Sequence, residues 1–126
     1  MKNEDLTHAI IGCAYNVFNQ LGFGFLESVY KKAMLIELVK SGLKAEEEKP
    51  LKVYYDSEVV GEFYIDLFVE DKIIVELKSV QHLAKEHEVQ LVNYLNGIKK
   101  DIGLLINFGQ NGVEVKRKHR APNQES

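Results

Sequence analysis

Two acids and a lysine stand in the middle of this chain where apolar residues are expected. In KIIVELKSV, residues 72–80, the positions Ile74, Glu76, Lys78 and Val80 share one face of an extended segment. At a rise near 3.3 Å per residue, Glu76 and Lys78 lie about 7 Å apart along it. Charged groups inside an otherwise apolar run cost free energy unless they are paired or hold a metal. In FYIDLFVE, residues 63–70, alternation places Phe63, Ile65, Leu67 and Val69 on one face and Tyr64, Asp66 and Phe68 on the other, so aromatics flank Asp66. A plain Glu76–Lys78 pair on a half-exposed face also accounts for the strand, and both readings stay open here.

LGFGFLESVY, residues 21–30, raises a second question. Gly22 and Gly24 begin like a dinucleotide fingerprint, but Glu27 stands where the third glycine belongs and would repel a pyrophosphate. Its plainest role is to complement a helix dipole from the first turn. Further on, His87, Gln90, Leu91, Tyr94, Leu95 and Ile98 fall in one helical stripe, which puts Gln90 and Tyr94 one turn apart on the buried side. A core-edge tyrosine with a hydrogen-bonding glutamine explains that pair equally well. His82 and His87 are five residues apart and diverge on a helix, which argues against a two-histidine zinc site.

These residues must be positioned by the elements around them. Leu6, Ile10, Cys13, Ala14 and Val17 recur at helical spacing and predict a first helix over residues 4–20 that ends at Gly22. A second helix follows over about 25–40, apolar almost all round and therefore expected to be deeply buried, with Gly42 at its C-terminus. LKVYY, EFYIDLFVE and KIIVELKSV then read as a meander broken by turn-like Asp56–Glu58, Gly61 and Glu70–Asp71. Residues 84–98 return to helical spacing, IGLLINF reads as a buried strand and GVEVKRK as an edge strand. The order ααβββαββ predicts an α/β (α+β) fold, with helices packed on a mixed sheet.

The 126 residues, 45% hydrophobic and 28% charged, suit one domain over residues 1–120 followed by a disordered tail, 121–126. Cys13 is the single cysteine, and no leader segment opens the chain, so a cytoplasmic setting is expected. No apolar run approaches the roughly 20 residues of a membrane helix. Net charge is −3, yet Lys99, Lys100, Lys116, Arg117, Lys118 and Arg120 crowd one end, either as a phosphate-tracking patch or as a solvated strand. Apolar strand edges leave a homodimer open.

Taken together, an acid on an early helix, Asp66, Glu76-x-Lys78 and Gln90-x-x-x-Tyr94 resemble the PD-(D/E)XK nuclease superfamily, and the Gln90/Tyr94 pair resembles its RecB-type branch. Gly24, Glu27 and Tyr30 match the GxxExxY family, named for that motif, over about residues 5–120. Ile65 stands where the superfamily name has proline. The resemblance implies a restriction-endonuclease-like core and hydrolysis of phosphodiester bonds in nucleic acid, DNA ahead of RNA. It implies Mg²⁺ or Mn²⁺ on Asp66 and Glu76, with Glu27 completing the acidic site directly or through water. Lys78 would then orient the attacking water and stabilise developing charge. Gln90 and Tyr94 would position a metal ligand or a phosphate, Tyr30 would support Glu27 through its hydroxyl, and His87 would join the pocket. The alternative that the resemblance leaves is a catalytically inactive nuclease-like module that binds nucleic acid or a protein partner.

Overall fold

The computed structural model describes residues 2–120, so the tail at 121–126 lies outside the described residues. Its elements are α1 (Asn3–Leu21), α2 (Glu27–Lys40), β1 (Ala45–Tyr55), β2 (Glu58–Val69), β3 (Ile73–Lys78), α3 (Lys85–Ile98), β4 (Ile102–Gly109) and β5 (Gly112–His119). The strands form one five-stranded sheet in sequence order. β1, β2 and β3 are antiparallel neighbours, β3 and β4 are parallel, and β4 and β5 are antiparallel. The parallel step needs a crossover, and α3 supplies it. No helix among the described residues is long and apolar enough to cross a membrane.

Two cores sandwich the sheet. Leu6, Ile10 and Val17 of α1 and Tyr30, Met34 and Leu38 of α2 pack on Leu67, Val75, Leu104 and Phe108. On the opposite face Leu91, Tyr94 and Leu95 of α3 pack on Ile65, Phe68, Ile74 and Leu105. β3 and β4 are buried on both faces, which is why their sequences read as continuous apolar runs.

Helix α1 ends as its spacing predicts, with the Gly22 N–H bonded to the Phe18 carbonyl at 2.8 Å. α2 differs from expectation. It begins at Glu27, and only Tyr30, Met34 and Leu38 are buried, while Ile36 and Val39 are 62% and 65% exposed. An apolar composition all round the helix therefore did not mean deep burial, because α2 is an outer-layer helix with the sheet on one side only. Its C-terminus closes as a Schellman motif, with Gly42 at φ 77, the Gly42 N–H on Val39 and the Leu43 N–H on Leu38.

Strand β2 also departs from simple alternation. Leu67 and Val69 face α1 and α2, but Ile65 and Phe68 both face α3, so the strand changes face at Asp66. Opposite this point in β1, Glu48 adopts φ 54 between the pairs Glu47↔Leu67 and Lys49↔Ile65. That irregular residue allows the local rotation. Gly61 is not a break; it lies inside β2, beside the register shift at Val53/Tyr54.

The segment after β3 is tied down by a side chain. Buried Asn107 of β4 accepts from the Val80 N–H and donates to the Val80 carbonyl, both at 2.9 Å, and so extends strand-like pairing beyond Lys78↔Asn107. Asn107→Ala strips both Val80 groups of their partner. We expect it to lower unfolding free energy by about 2–3 kcal/mol in urea denaturation and to lose hydrogen-exchange protection first at the Val80 amide.

Candidate active site

The β2–β3 ladder stops at Leu67↔Val75, and beyond it two carboxylates replace the missing backbone partners. The Asp66 N–H donates to Glu76 Oε2 at 2.8 Å, and the Leu77 N–H donates to Asp66 Oδ2 at 2.8 Å. Each acid therefore satisfies the backbone of the other strand. The exchange holds both carboxylates in one place at the point where the strands part.

Glu76 is 7% exposed and Asp66 is half-buried. Burial, and next the charge of Asp66, push the Glu76 carboxyl up to about 8, against the opposing effects of the Asp66 N–H and the Lys78 ammonium; Glu27 adds a smaller upward push. Burial, Glu76 and Asp66 likewise raise the Tyr94 phenol. Glu27, Asp66, Glu76, Lys78 and Tyr94 thus lie within electrostatic reach of one centre. Among the described residues, no three His, Cys, Asp or Glu side chains converge as a metal cage. The Asp66–Glu76 pair still offers the oxygen donors that suit a hard cation, which fills its remaining positions with water.

The other expected members have surroundings of their own. Gln90 is exposed and lines a groove beside Tyr94 instead of facing the core, because the arm formed by β1 and β2 leaves that side of α3 open. His87 Nδ1 accepts from the Ala84 N–H at 3.1 Å, so its ring caps the start of α3. Tyr30 is fully buried and stacks on Phe108 with centroids 4.3 Å apart. Its hydroxyl donates to the Gly22 carbonyl and accepts from the Phe25 N–H, so it secures the loop before α2 and makes no bond to the Glu27 carboxylate. Glu27 itself is exposed at the first position of α2.

Two positioning residues escaped the sequence reading. Ser79 Oγ donates to the Phe25 carbonyl at 2.7 Å and joins the end of β3 to the loop that leads into Glu27. A serine after a strand carries no local sign of this, since its partner lies 54 residues away. Asn107 did carry a sign, being the one side chain able to donate and accept within IGLLINF. The basic residues near the C-terminus do not make one patch. Arg117 bonds buried Thr7 on the α1 side, Lys118 pairs with Glu88 on the α3 side, and Arg120 pairs with Asp101.

Comparison with known proteins bears on this geometry. The crystal structure of SSO0001 superposes with a TM-score of 0.62 at 15% sequence identity, over 77% of this chain and 51% of that one. The likeness is one of fold, and this chain spans about half the length of SSO0001. No curated protein sequence matches the chain. A family model for the PD-(D/E)XK nuclease superfamily matches residues 4–118, nearly the whole length, and the acidic break between β2 and β3 falls inside that match. The chain belongs to the PD-(D/E)XK nuclease superfamily.

Proposed function

We propose that this protein is a divalent-metal-dependent nuclease of the GxxExxY kind, related to the RecB-type branch, that hydrolyses phosphodiester bonds in nucleic acid, with DNA favoured as substrate. The observation that carries the proposal is the bonding of the Asp66 N–H to the Glu76 carboxylate and of the Leu77 N–H to the Asp66 carboxylate, which fixes two carboxylates beside Lys78 at a cost that a cation would remove. Asp66 and Glu76 would hold Mg²⁺ or Mn²⁺, with Glu27 acting through water. The metal would supply neutralisation of the scissile phosphate and a more acidic bound water.

The chain's own groups do the rest. Lys78, two residues beyond Glu76 on the same strand, presents an ammonium that orients the attacking water and offsets charge developing on phosphate oxygens. Tyr94 borders both acids from α3, and its hydroxyl is held in the neutral, donating form. From there it can bond a phosphate oxygen. Ser79 and Asn107 keep the end of β3 from shifting, which matters because misplacement by about 1 Å costs rate steeply.

Three measurements test this reading. Calorimetric titration with Mg²⁺ or Mn²⁺ gives a binding isotherm that Asp66→Ala abolishes; identical flat traces for both proteins would instead favour the non-catalytic module. Because the cation binds ionised Glu76, binding near neutral pH releases a proton, and apparent affinity rises with pH up to about 8.

In cleavage assays over single-stranded, duplex, flap and junction substrates, Lys78→Ala lowers the rate by about 100-fold or more while circular dichroism stays unchanged. Retention of full activity would remove Lys78 from the mechanism.

The pH dependence of stability has a defined sign. Glu76 is raised from 4.5 to about 8 in the fold, so between these values the folded chain binds the extra proton and the unfolded chain does not. Metal-free stability therefore falls as pH rises through that window. Glu76→Gln removes the dependence and raises the melting temperature at pH 8 by about 5 °C or more.

A further inference from the structure

Because the β2–β3 ladder ends at Leu67, residues 49–55 of β1 and 58–66 of β2 pair only with each other and form a projecting two-stranded arm. The arm turns at Asp56 and Ser57, both at positive φ. A two-stranded ribbon alone is marginal in water, and this one carries exposed apolar residues on both sides. Register puts Val53 and Phe63 on the α3 side and Tyr54, Val59 and Tyr64 on the other.

Exposure on the arm is large. Val53, Tyr54, Tyr55, Val59, Val60, Phe63 and Tyr64 are between 38% and 71% exposed. Together they present on the order of 700 Å² of largely apolar surface, divided between the two sides of the arm. Beside the arm, between it and α3, lies a groove of about 970 Å³ with an apolar floor and wall of Leu51, Val53, Phe63, Val89 and Tyr94.

We infer that the occupant of this groove is the arm of a second copy of this chain, in a two-fold dimer in which each arm seats against the partner's α3. Three features select that occupant. The exposed area is close to the about 800 Å² per partner that a stable interface buries. An apolar projection next to an apolar concavity is self-complementary, so a two-fold rotation satisfies both twice. The charges of the region come in both signs, with Lys85 and Glu86 in the groove and Lys52 paired to Glu62 on the arm. A patch so balanced does not repel its own copy, and it lacks the excess of cations that a nucleic-acid backbone or an anionic membrane demands. The dimer carries two acidic centres in one particle, independently of what chemistry they perform.

Sedimentation velocity of the full chain across the micromolar range tests the inference. The wild type sediments at twice the monomer mass. Tyr55→Glu with Val60→Glu, at positions 71% and 62% exposed, gives a folded monomer and weakens association by about 100-fold or more, since each buried carboxylate is left unpaired. Val89→Glu, on the opposite wall of the groove, does the same from a separate element. Ile36→Glu with Val39→Glu charges a separate exposed apolar surface, on α2, and leaves the dimer intact. A wild type that stays monomeric overturns the inference, as does a dimer that survives both the arm variant and the groove variant or one that the α2 variant dissociates. A monomer that gains mass only on addition of an oligonucleotide also overturns it.

Discussion

The acidic centre and the arm beside it follow from one exchange of hydrogen bonds between strands, in which the Asp66 N–H bonds the Glu76 carboxylate and the Leu77 N–H bonds the Asp66 carboxylate. A regular β2–β3 ladder would continue past Leu67↔Val75 with backbone bonds; here carboxylates take the backbone's place, at 2.8 Å on each side. The strands can then part without leaving buried N–H groups unsatisfied, which is the condition for any irregularity inside a sheet. The break creates a recess with two fixed acids. It also frees the distal part of β1 and β2 to project as an arm. The candidate catalytic centre and the candidate dimer surface are two consequences of one local substitution of partners.

A pair of acids held by one strand junction would still be loosely placed without support from the elements around it. Tyr30 binds the Gly22 carbonyl and the Phe25 N–H, and Ser79 binds the Phe25 carbonyl, so the loop leading to Glu27 is fastened both to α2 and to the end of β3. Asn107 fastens the residues just beyond Lys78 to β4. Helix, loop and two strands are thus cross-linked by short polar bonds within one region. A site on rigid elements with such bracing keeps its geometry when substrate arrives.

Much of this was legible in the sequence, and the parts that were not have physical reasons. Element order and helix ends follow from local signals: apolar spacing in α1, Gly22 and Gly42 at their helix termini, continuous apolar runs in β3 and β4. Glu76 and Lys78 stood out because charge within a buried run is costly wherever the run folds. The face change at Asp66 was hidden, since alternation assumes an unbroken ladder and the break depends on a residue ten positions away. Glu48, whose positive φ accompanies the turn of the strand, belongs to a third segment. For the same reason Tyr30 and His87 could be placed near the site but not given their actual partners, because a hydroxyl or a ring nitrogen satisfies whatever donor or acceptor tertiary packing brings to it. Superseding the expectation of a buried α2 was a matter of layers: helical periodicity cannot report whether anything covers the far side.

The open choice between a simple Glu76–Lys78 ion pair and a cation-binding centre can now be argued from electrostatics. A structural pair would stabilise the Glu76 carboxylate and draw its pKa down. Lys78 does pull in that direction, but burial and the charge of Asp66 together outweigh it, and the carboxyl sits near 8. The lysine is therefore not a sufficient counter-charge for the two acids it adjoins. A fold that keeps two carboxylates hydrogen-bonded to its backbone at a partly open junction, with one of them protonated near neutrality, carries a standing cost in stability. The proposed cation-binding reading accounts for that cost, and a plain ion pair does not.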